Sequence, residues 1–358
     1  MYSKKKLARN IIIVVAILII LIILVCSLSD ITKIYKVLVE QTNYVFILAA
    51  VGLLLVYALT MQLSLTILIK DKAKDMNIVD CMLISGTEFF FNGITPFSSG
   101  GQPFQAYALK RKNMKITDST SVLLVNFLVY QIVLNLISVV CIILYYGKLK
   151  ENVPNLMWLI IMGFTINLLV MVLIILIGCT KFMGKAIAKL IDLLCKIKFI
   201  AKLFKNKGES FQIYVDNMQQ AFKEMSTKIP KLLGVGLLKT VSLLVYYSIP
   251  FVVFLALGVE IHFTDLLYIV CMTSFALTIT AWIPTPGASG GVELAFNTLF
   301  ATLITTGDQA TISTSGMLLW RLITYYLLLI YGFVLYLIFE RRNRNENRDL
   351  YWPVLSIC

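Results

Sequence analysis

Charge is what this sequence has least of. Asp, Glu, Lys and Arg make up 14% of its 358 residues, against about a quarter in an ordinary soluble domain. That scarcity excludes a conventional globular enzyme. It also makes nucleic acid a poor explanation of the net charge of +13, so no nucleic-acid partner is expected. Histidine occurs once, at His262, in a short polar stretch beside Glu260 and Asp265, where a solvated side chain is the plain expectation. The seven cysteines (26, 81, 141, 179, 195, 271 and 358) include no C-x-x-C pair, so neither a zinc site nor a disulfide framework is indicated. A Walker motif is missing, which argues against nucleotide hydrolysis by the chain alone. Ten-residue blocks of alternating polarity, the mark of an outer-membrane barrel, are missing too. No cofactor and no metal are expected.

What is present is apolar sequence in long runs. The hydrophobic fraction is 59% and the mean hydropathy +0.86. Crossing a ~30 Å hydrocarbon core at ~1.5 Å per residue takes roughly 18–25 residues. Six segments reach that length: about 11–28, 44–69, 119–146, 154–178, 230–257 and 312–339. The predicted fold class is therefore all-α and polytopic. The first run follows Lys4, Lys5, Lys6 and Arg9, has no A-x-A-like cleavage site after it, and reads as an uncleaved anchor.

Two further apolar regions, 76–109 and 264–305, are each split by Pro, Gly and Ser. Their arms run to about 10–19 residues, several too short to cross alone. Both read as re-entrant hairpins, tolerated where irregular backbone is buried in protein or faces a wet cavity. Lys and Arg test this topology, because cytoplasmic segments carry the excess of them. With the first hairpin re-entrant, the inner side holds nearly all the basic residues and the outer side only Lys33, Lys36, Lys148 and Lys150. A full crossing at 76–109 would put Lys110, Arg111, Lys112 and Lys115 outside and reverse every later loop. The chain is accordingly expected in a bacterial inner membrane with both termini cytoplasmic.

The two hairpins then enter from opposite sides, each between two full spans, an arrangement of inverted repeats typical of secondary transporters. The residues agree. Thr95-Pro96-Phe97-Ser98-Ser99-Gly100-Gly101 and Thr285-Pro286-Gly287-Ala288-Ser289-Gly290-Gly291 both spell T-P-x-x-S-G-G at an offset of 190. The predicted organisation is one membrane domain over 1–340: anchor and outer loop (1–43), first repeat (44–178), a basic amphipathic cytoplasmic segment (179–229) and second repeat (230–340). A tail follows at 341–358. The basic segment is ordinary membrane-surface chemistry, attractive to anionic lipid.

Pro ends the helix before each turn, and the Gly pair is expected to supply backbone angles closed to other residues. A new helix then starts near 102 and near 292, its free N–H groups suited to an anion such as phosphate. The candidate substrate site comprises Thr95, Ser99, Gly100, Gly101, Gln102, Gln105, Thr285, Ser289, Gly290, Gly291, Glu293 and Arg321, with Asn92 flanking the first turn. Ionisable groups at membrane depth are Glu88, Lys239, Glu293 and Arg321, expensive there and functional candidates by default. A Glu293–Arg321 or a Glu293–Lys239 pair is expected, serving either a headgroup or the locking of the second hairpin. Asn126, Tyr130, Gln131 and Asn135 form a polar stripe expected to bond between helices.

At I-T-P-F-S-S-G-G-Q-P-F-Q-A-Y-A-L-K-R (94–111), W-I-P-T-P-G-A-S-G-G-V-E (282–293) and the W-R-L-I-T-Y-Y block containing Arg321, the chain resembles the family of the lysylphosphatidylglycerol synthase transmembrane region, a flippase-like group. The resemblance covers roughly 10–340. Many relatives carry an acid and an arginine where this chain has Gln102 and Gln105, which shifts weight to Glu293 and Arg321. It implies translocation of a phospholipid, anionic or aminoacylated, in the best-known members one made by a fused synthase domain. No hydrophilic stretch here exceeds about fifty residues, so lysyl transfer is not expected of this polypeptide by itself. The alternatives are a component of phosphatidylglycerol lysyltransferase acting with a separate lipid synthase, and a porter of small anions.

Overall fold

Apolar runs of this length satisfy their own backbone hydrogen bonds only as helices, and the chain is helical throughout the part described. The structure is a computed structural model that describes residues 31–179, 227–304 and 308–343, with 219, 220 and 223. The expected anchor at 11–28, nearly all of the basic segment and the tail beyond 343 lie outside the described residues.

The order is α1 (Ile31–Lys36), α2 (Tyr44–Lys72), α3 (Ile78–Gly93), a one-turn helix Pro96–Ser98, α4 (Gly101–Arg111), α5 (Ile116–Asn152) and α6 (Pro154–Cys179). Then come α7 (Ile229–Ala256), α8 (Leu266–Thr280), a second one-turn helix Pro286–Ala288, α9 (Gly291–Ala301), α10 (Gln309–Arg321) and α11 (Leu328–Asn343). A wider π turn, Leu322–Leu327, joins α10 to α11. Starts are set locally: Asn43, Asn77 and Asp308 each accept a backbone N–H of the helix they precede, the usual role of an N-cap.

Among the described residues six helical stretches are long and apolar enough to cross a membrane. Five coincide with expected spans, within a few residues at each end. The sixth, Phe263–Thr280, is the first arm of the second hairpin; at 18 residues it reaches the lower end of spanning length. Outward faces are apolar as lipid contact requires, with Leu48 on α2, Ile143 on α5, Leu169 on α6 and Leu237 on α7 all exposed.

α2 packs along α7, and the two run antiparallel. The amide of Asn43, before α2, bonds the carbonyl of Ala256 at the end of α7 at 2.7 Å, while Asp71 at the end of α2 pairs with Lys228 and Lys231 at the start of α7. Each helix–turn–helix segment folds back on itself. Asp80 at the start of α3 meets Lys112 just past α4 at 3.1 Å and Arg342 at the end of α11 at 3.2 Å. Arg111 pairs with Glu340 nearby at 2.5 Å. These groups form one ionic end of the bundle. At the other end Asn152 bonds Tyr268 at 3.2 Å, and Lys33 reaches Asp308 at 3.5 Å.

Packing follows the same scheme in both halves. α3 lies against α2, α4 and α11; its counterpart α8 lies against α7, α9 and α5. Each hairpin anchors its own core. Phe91 stacks on Phe104 at 4.0 Å in the first. In the second, Phe296 stacks on Phe300 at 4.1 Å and on Trp320 at 4.7 Å.

Candidate functional site

The T-P-x-x-S-G-G segments fall between helices, as Pro and Gly require. By helix rise the turns lie roughly 17–24 Å along their arms, and there they touch each other, although neither one-turn helix contains a buried residue. Their backbones match although their middle residues differ. Phe97 and Ser98 have φ of 55° and 49°; Gly287 and Ala288 have 61° and 52°. Phe97 holds its left-handed conformation with the side chain exposed. At Gly287 a Cβ would lie 2.3 Å from the Tyr325 ring, so that position admits only glycine.

The glycine pairs serve the expected purpose at one of their four positions. Of the four, Gly290 alone has a left-handed φ, 93°. Gly101 starts its helix with ordinary angles and is needed for room: a Cβ would sit 2.7 Å from Asn92 Oδ1 and 2.8 Å from Glu88 Cγ. Helices start at Gly101 and Gly291, one residue earlier than expected.

Arg321 and Glu293 are brought together. Arg321 Nε donates to Glu293 Oε1 at 2.8 Å, and both residues are buried. Arg321 Nη2 donates to the Gly287 carbonyl at 3.0 Å and to Ser289 Oγ at 3.2 Å. Its guanidinium lies 4.6 Å from the Tyr325 ring centroid. The other carboxylate oxygen of Glu293 accepts the Gly290 amide at 2.7 Å. The second helix N-terminus thus carries its own anion, and the arginine holds carboxylate, turn and ring in place. The π turn begins at the next residue, a local unwinding common at functional positions.

The first turn is organised without an arginine. Asn92 Oδ1 accepts the Gly101 amide at 2.8 Å, and Thr95 Oγ1 accepts the Gly100 amide at 2.9 Å. Thr285 does otherwise, donating to the Ser289 carbonyl at 2.9 Å. Glu88 lies beneath, accepting from Asn92 Nδ2 at 3.2 Å and Gln105 Nε2 at 3.3 Å. Gln105 is fully buried and also donates to the Ser85 carbonyl at 3.1 Å. Gln102 is half-buried and Ser99 exposed. The halves are tied where Tyr325 Oη donates to the Gly93 carbonyl at 3.0 Å.

Lys239 does not join Glu293. It is fully buried, with its Nζ 5.8 Å from the Tyr130 ring centroid. The polar stripe of α5 also departs from expectation. Asn126, Gln131 and Asn135 keep their side-chain oxygens without partners, and Asn135 donates to the Gln131 carbonyl of its own helix at 2.8 Å. Asn135 also reaches Met171 Sδ on α6 at 3.7 Å, so the stripe bonds between helices at that one residue. Among the described residues no group of three or more His, Cys, Asp or Glu could hold a metal ion.

Comparison with known proteins agrees with this frame. The family model described as the lysylphosphatidylglycerol synthase TM region matches residues 11–332. A UPF0104 membrane protein of Archaeoglobus fulgidus is 24% identical over 315 residues, covering 82% of this chain and 86% of that protein.

Proposed function

We propose, on the premise that this chain belongs to the family of the lysylphosphatidylglycerol synthase TM region, that it translocates a phospholipid with an anionic or aminoacylated headgroup across the membrane. The observation that carries the reading is the meeting of the two T-P-x-x-S-G-G turns, partway along the lengths of their flanking helices. Both turns end short helices that fold back to the side they came from, the geometry of re-entrant hairpins. Their flanking helices α2 and α7 run antiparallel, which supports an inverted repeat of 44–178 and 230–340.

In this reading the membrane is a bacterial inner membrane and the ionic end of the bundle is cytoplasmic, following the excess of Lys and Arg there. The headgroup passes along the seam between the turns. Thr95, Ser99, Gly100, Gly101, Gln102 and Gln105 line it from one half. Thr285, Ser289, Gly290 and Gly291 line it from the other, with Glu293 and Arg321 fixing their backbone. Acyl chains stay in lipid, because the outward helix faces are apolar. Alternating access then consists of one hairpin rocking against the other about the turn–turn contact.

The test is lipid movement in proteoliposomes. Fluorescent phosphatidylglycerol and its lysyl derivative are placed in both leaflets, and a quencher is added outside. Wild-type vesicles are expected to lose the protected inner-leaflet signal faster than empty ones. Equal rates, with and without an imposed ion gradient, would sink the reading.

A further inference from the structure

The ionic end of the bundle also carries a groove. It opens between the last turns of α2, the start of α3 and the start of α7, and holds about 310 Å³, near the lower end of the usual size for a ligand pocket. Its lining changes character along α2. Leu63 and Ile67 come first, then Lys70 and, just past the helix, Lys74; Ile78 of α3 and Lys231 of α7 join them. Positions three or four apart share one helix face, so the apolar pair leads straight to Lys70, about 10 Å beyond Leu63 by helix rise. Leu63 is 39% exposed and Ile78 57%, so the apolar part of the groove opens outward, away from the bundle core.

The cations of the groove are short of anions. Lys70 Nζ donates to the Met76 carbonyl at 2.8 Å and to the Lys74 carbonyl, neither of them charged. Lys74 is exposed, and its ammonium has no partner among the described residues. Lys231 shares Asp71, the one acid of the lining, with Lys228, two cations on a single carboxylate. Asp75, beside Lys74 in the chain, lies outside the lining. The groove is therefore a cationic mouth above an apolar floor. A small soluble anion would answer the ammonium groups and leave the floor bare. A neutral lipid would cover the floor and leave the charge unanswered. An amphiphile with an anionic phosphate fits both, since basic side chains at the edge of apolar surface attract acidic lipid.

We propose that this groove binds one phospholipid of net negative headgroup, its phosphate among Lys70, Lys74 and Lys231 and an acyl chain along Leu63, Ile67 and Ile78. The site goes beyond the reading above: it shares no residue with the seam between the turns and holds whether or not lipid moves there.

The test uses the full chain purified in a non-ionic detergent, titrated with phosphatidylglycerol or with phosphatidylcholine and read by native mass spectrometry as lipid retained. Wild type is expected to prefer phosphatidylglycerol at least fivefold. Lys74→Gln/Lys231→Gln should bring the preference below twofold at an unchanged thermal midpoint, because Asp71 keeps Lys228. Lys110→Gln/Lys115→Gln removes the same charge from exposed positions outside the lining and should leave the preference as it was. Lys74→Gln by itself breaks no bond and should lower the preference at least twofold; an unchanged preference there overturns the proposal, whatever the double variant does to stability. Equal losses in the two double variants also overturn it, since that is the signature of general surface charge. So does displacement by water-soluble glycerophosphoglycerol, which has the headgroup and no acyl chain. Selective retention supports the site even where vesicles show no lipid movement, an outcome that removes the transport reading alone.

Discussion

The hydroxyl of Tyr325 donates to the carbonyl of Gly93 at 3.0 Å, fastening the helix after Arg321 to the last residue of α3 in the other half. The ring of the same tyrosine lies under the Arg321 guanidinium and fills the space a side chain at Gly287 would need. One residue therefore touches the second turn and the end of the helix that leads into the first. Tyr325→Phe keeps the ring and deletes the bond. A net loss of about 1 kcal/mol is expected, read as a modest fall in thermal midpoint with a faster rate of lipid movement, because a tie between the moving halves is gone. An unchanged midpoint and rate would show that the bond restrains nothing.

Arg321→Ala and Glu293→Ala are expected to abolish transport, and the geometry adds that they should not leave folding intact. Each strands a buried opposite charge, at about 3–5 kcal/mol, and the arginine change also frees the Gly287 carbonyl. The pair Arg321→Met/Glu293→Gln should recover much of the stability. Recovery of stability with transport still absent would separate a role in transport from a purely structural lock. Single variants as stable as wild type would contradict the burial of the pair.

At Gly101 a methyl group would press on Asn92 Oδ1 and Glu88 Cγ. Gly101→Ala should therefore cost about 1–3 kcal/mol through overpacking, together with loss of the Asn92 cap. Gly147 in α5 has nothing within 4 Å of the same added atom. Gly147→Ala should stabilise by roughly 0.5–1 kcal/mol, the ordinary helix preference. Thermal unfolding of the two variants in detergent is the measurement, and equal effects would refute the close approach.

Cys141 on α5 and Cys271 on α8 are buried in one hydrophobic cluster, on helices that pack together. With the other five cysteines replaced by serine, a membrane-permeant oxidant should join them within the chain, seen as a loss of two hydrogens in the intact mass. If the second hairpin rocks against α5, the cross-linked protein should move lipid at the rate of empty vesicles and recover on reduction. Full activity in the cross-linked state would assign the motion elsewhere.

Much of the fold was legible because its determinants are local. The run at 44–69 became Tyr44–Lys72, and the breaks at 95–101 and 285–291 came where Pro and Gly make them unavoidable. Helix α5 overshot its apolar stretch, continuing through Lys148 to Asn152, where Lys148 covers the Tyr268 ring at 4.0 Å; that tertiary contact leaves no mark in the sequence nearby. The site was legible in part. Arg321 with Glu293 was one of two pairings the sequence allowed. That Lys239 lies at the Tyr130 ring instead depends on α7 packing against α5, a relation between residues about 110 positions apart. The packing role of Gly101 was hidden for the same reason, since a need for space looks no different in sequence from a need for unusual angles.

The two hairpins share a left-handed backbone at the middle of their turns but are unequally seated. α3 lies in broad contact with α11, whereas its counterpart α8 divides a smaller contact between α5 and α6. If the halves are interchangeable in form, as the inverted-repeat reading holds, this inequality describes a second shape. Giving the first half the looser seating and the second half the tighter one produces a molecule turned the other way, built from packings already present in this one.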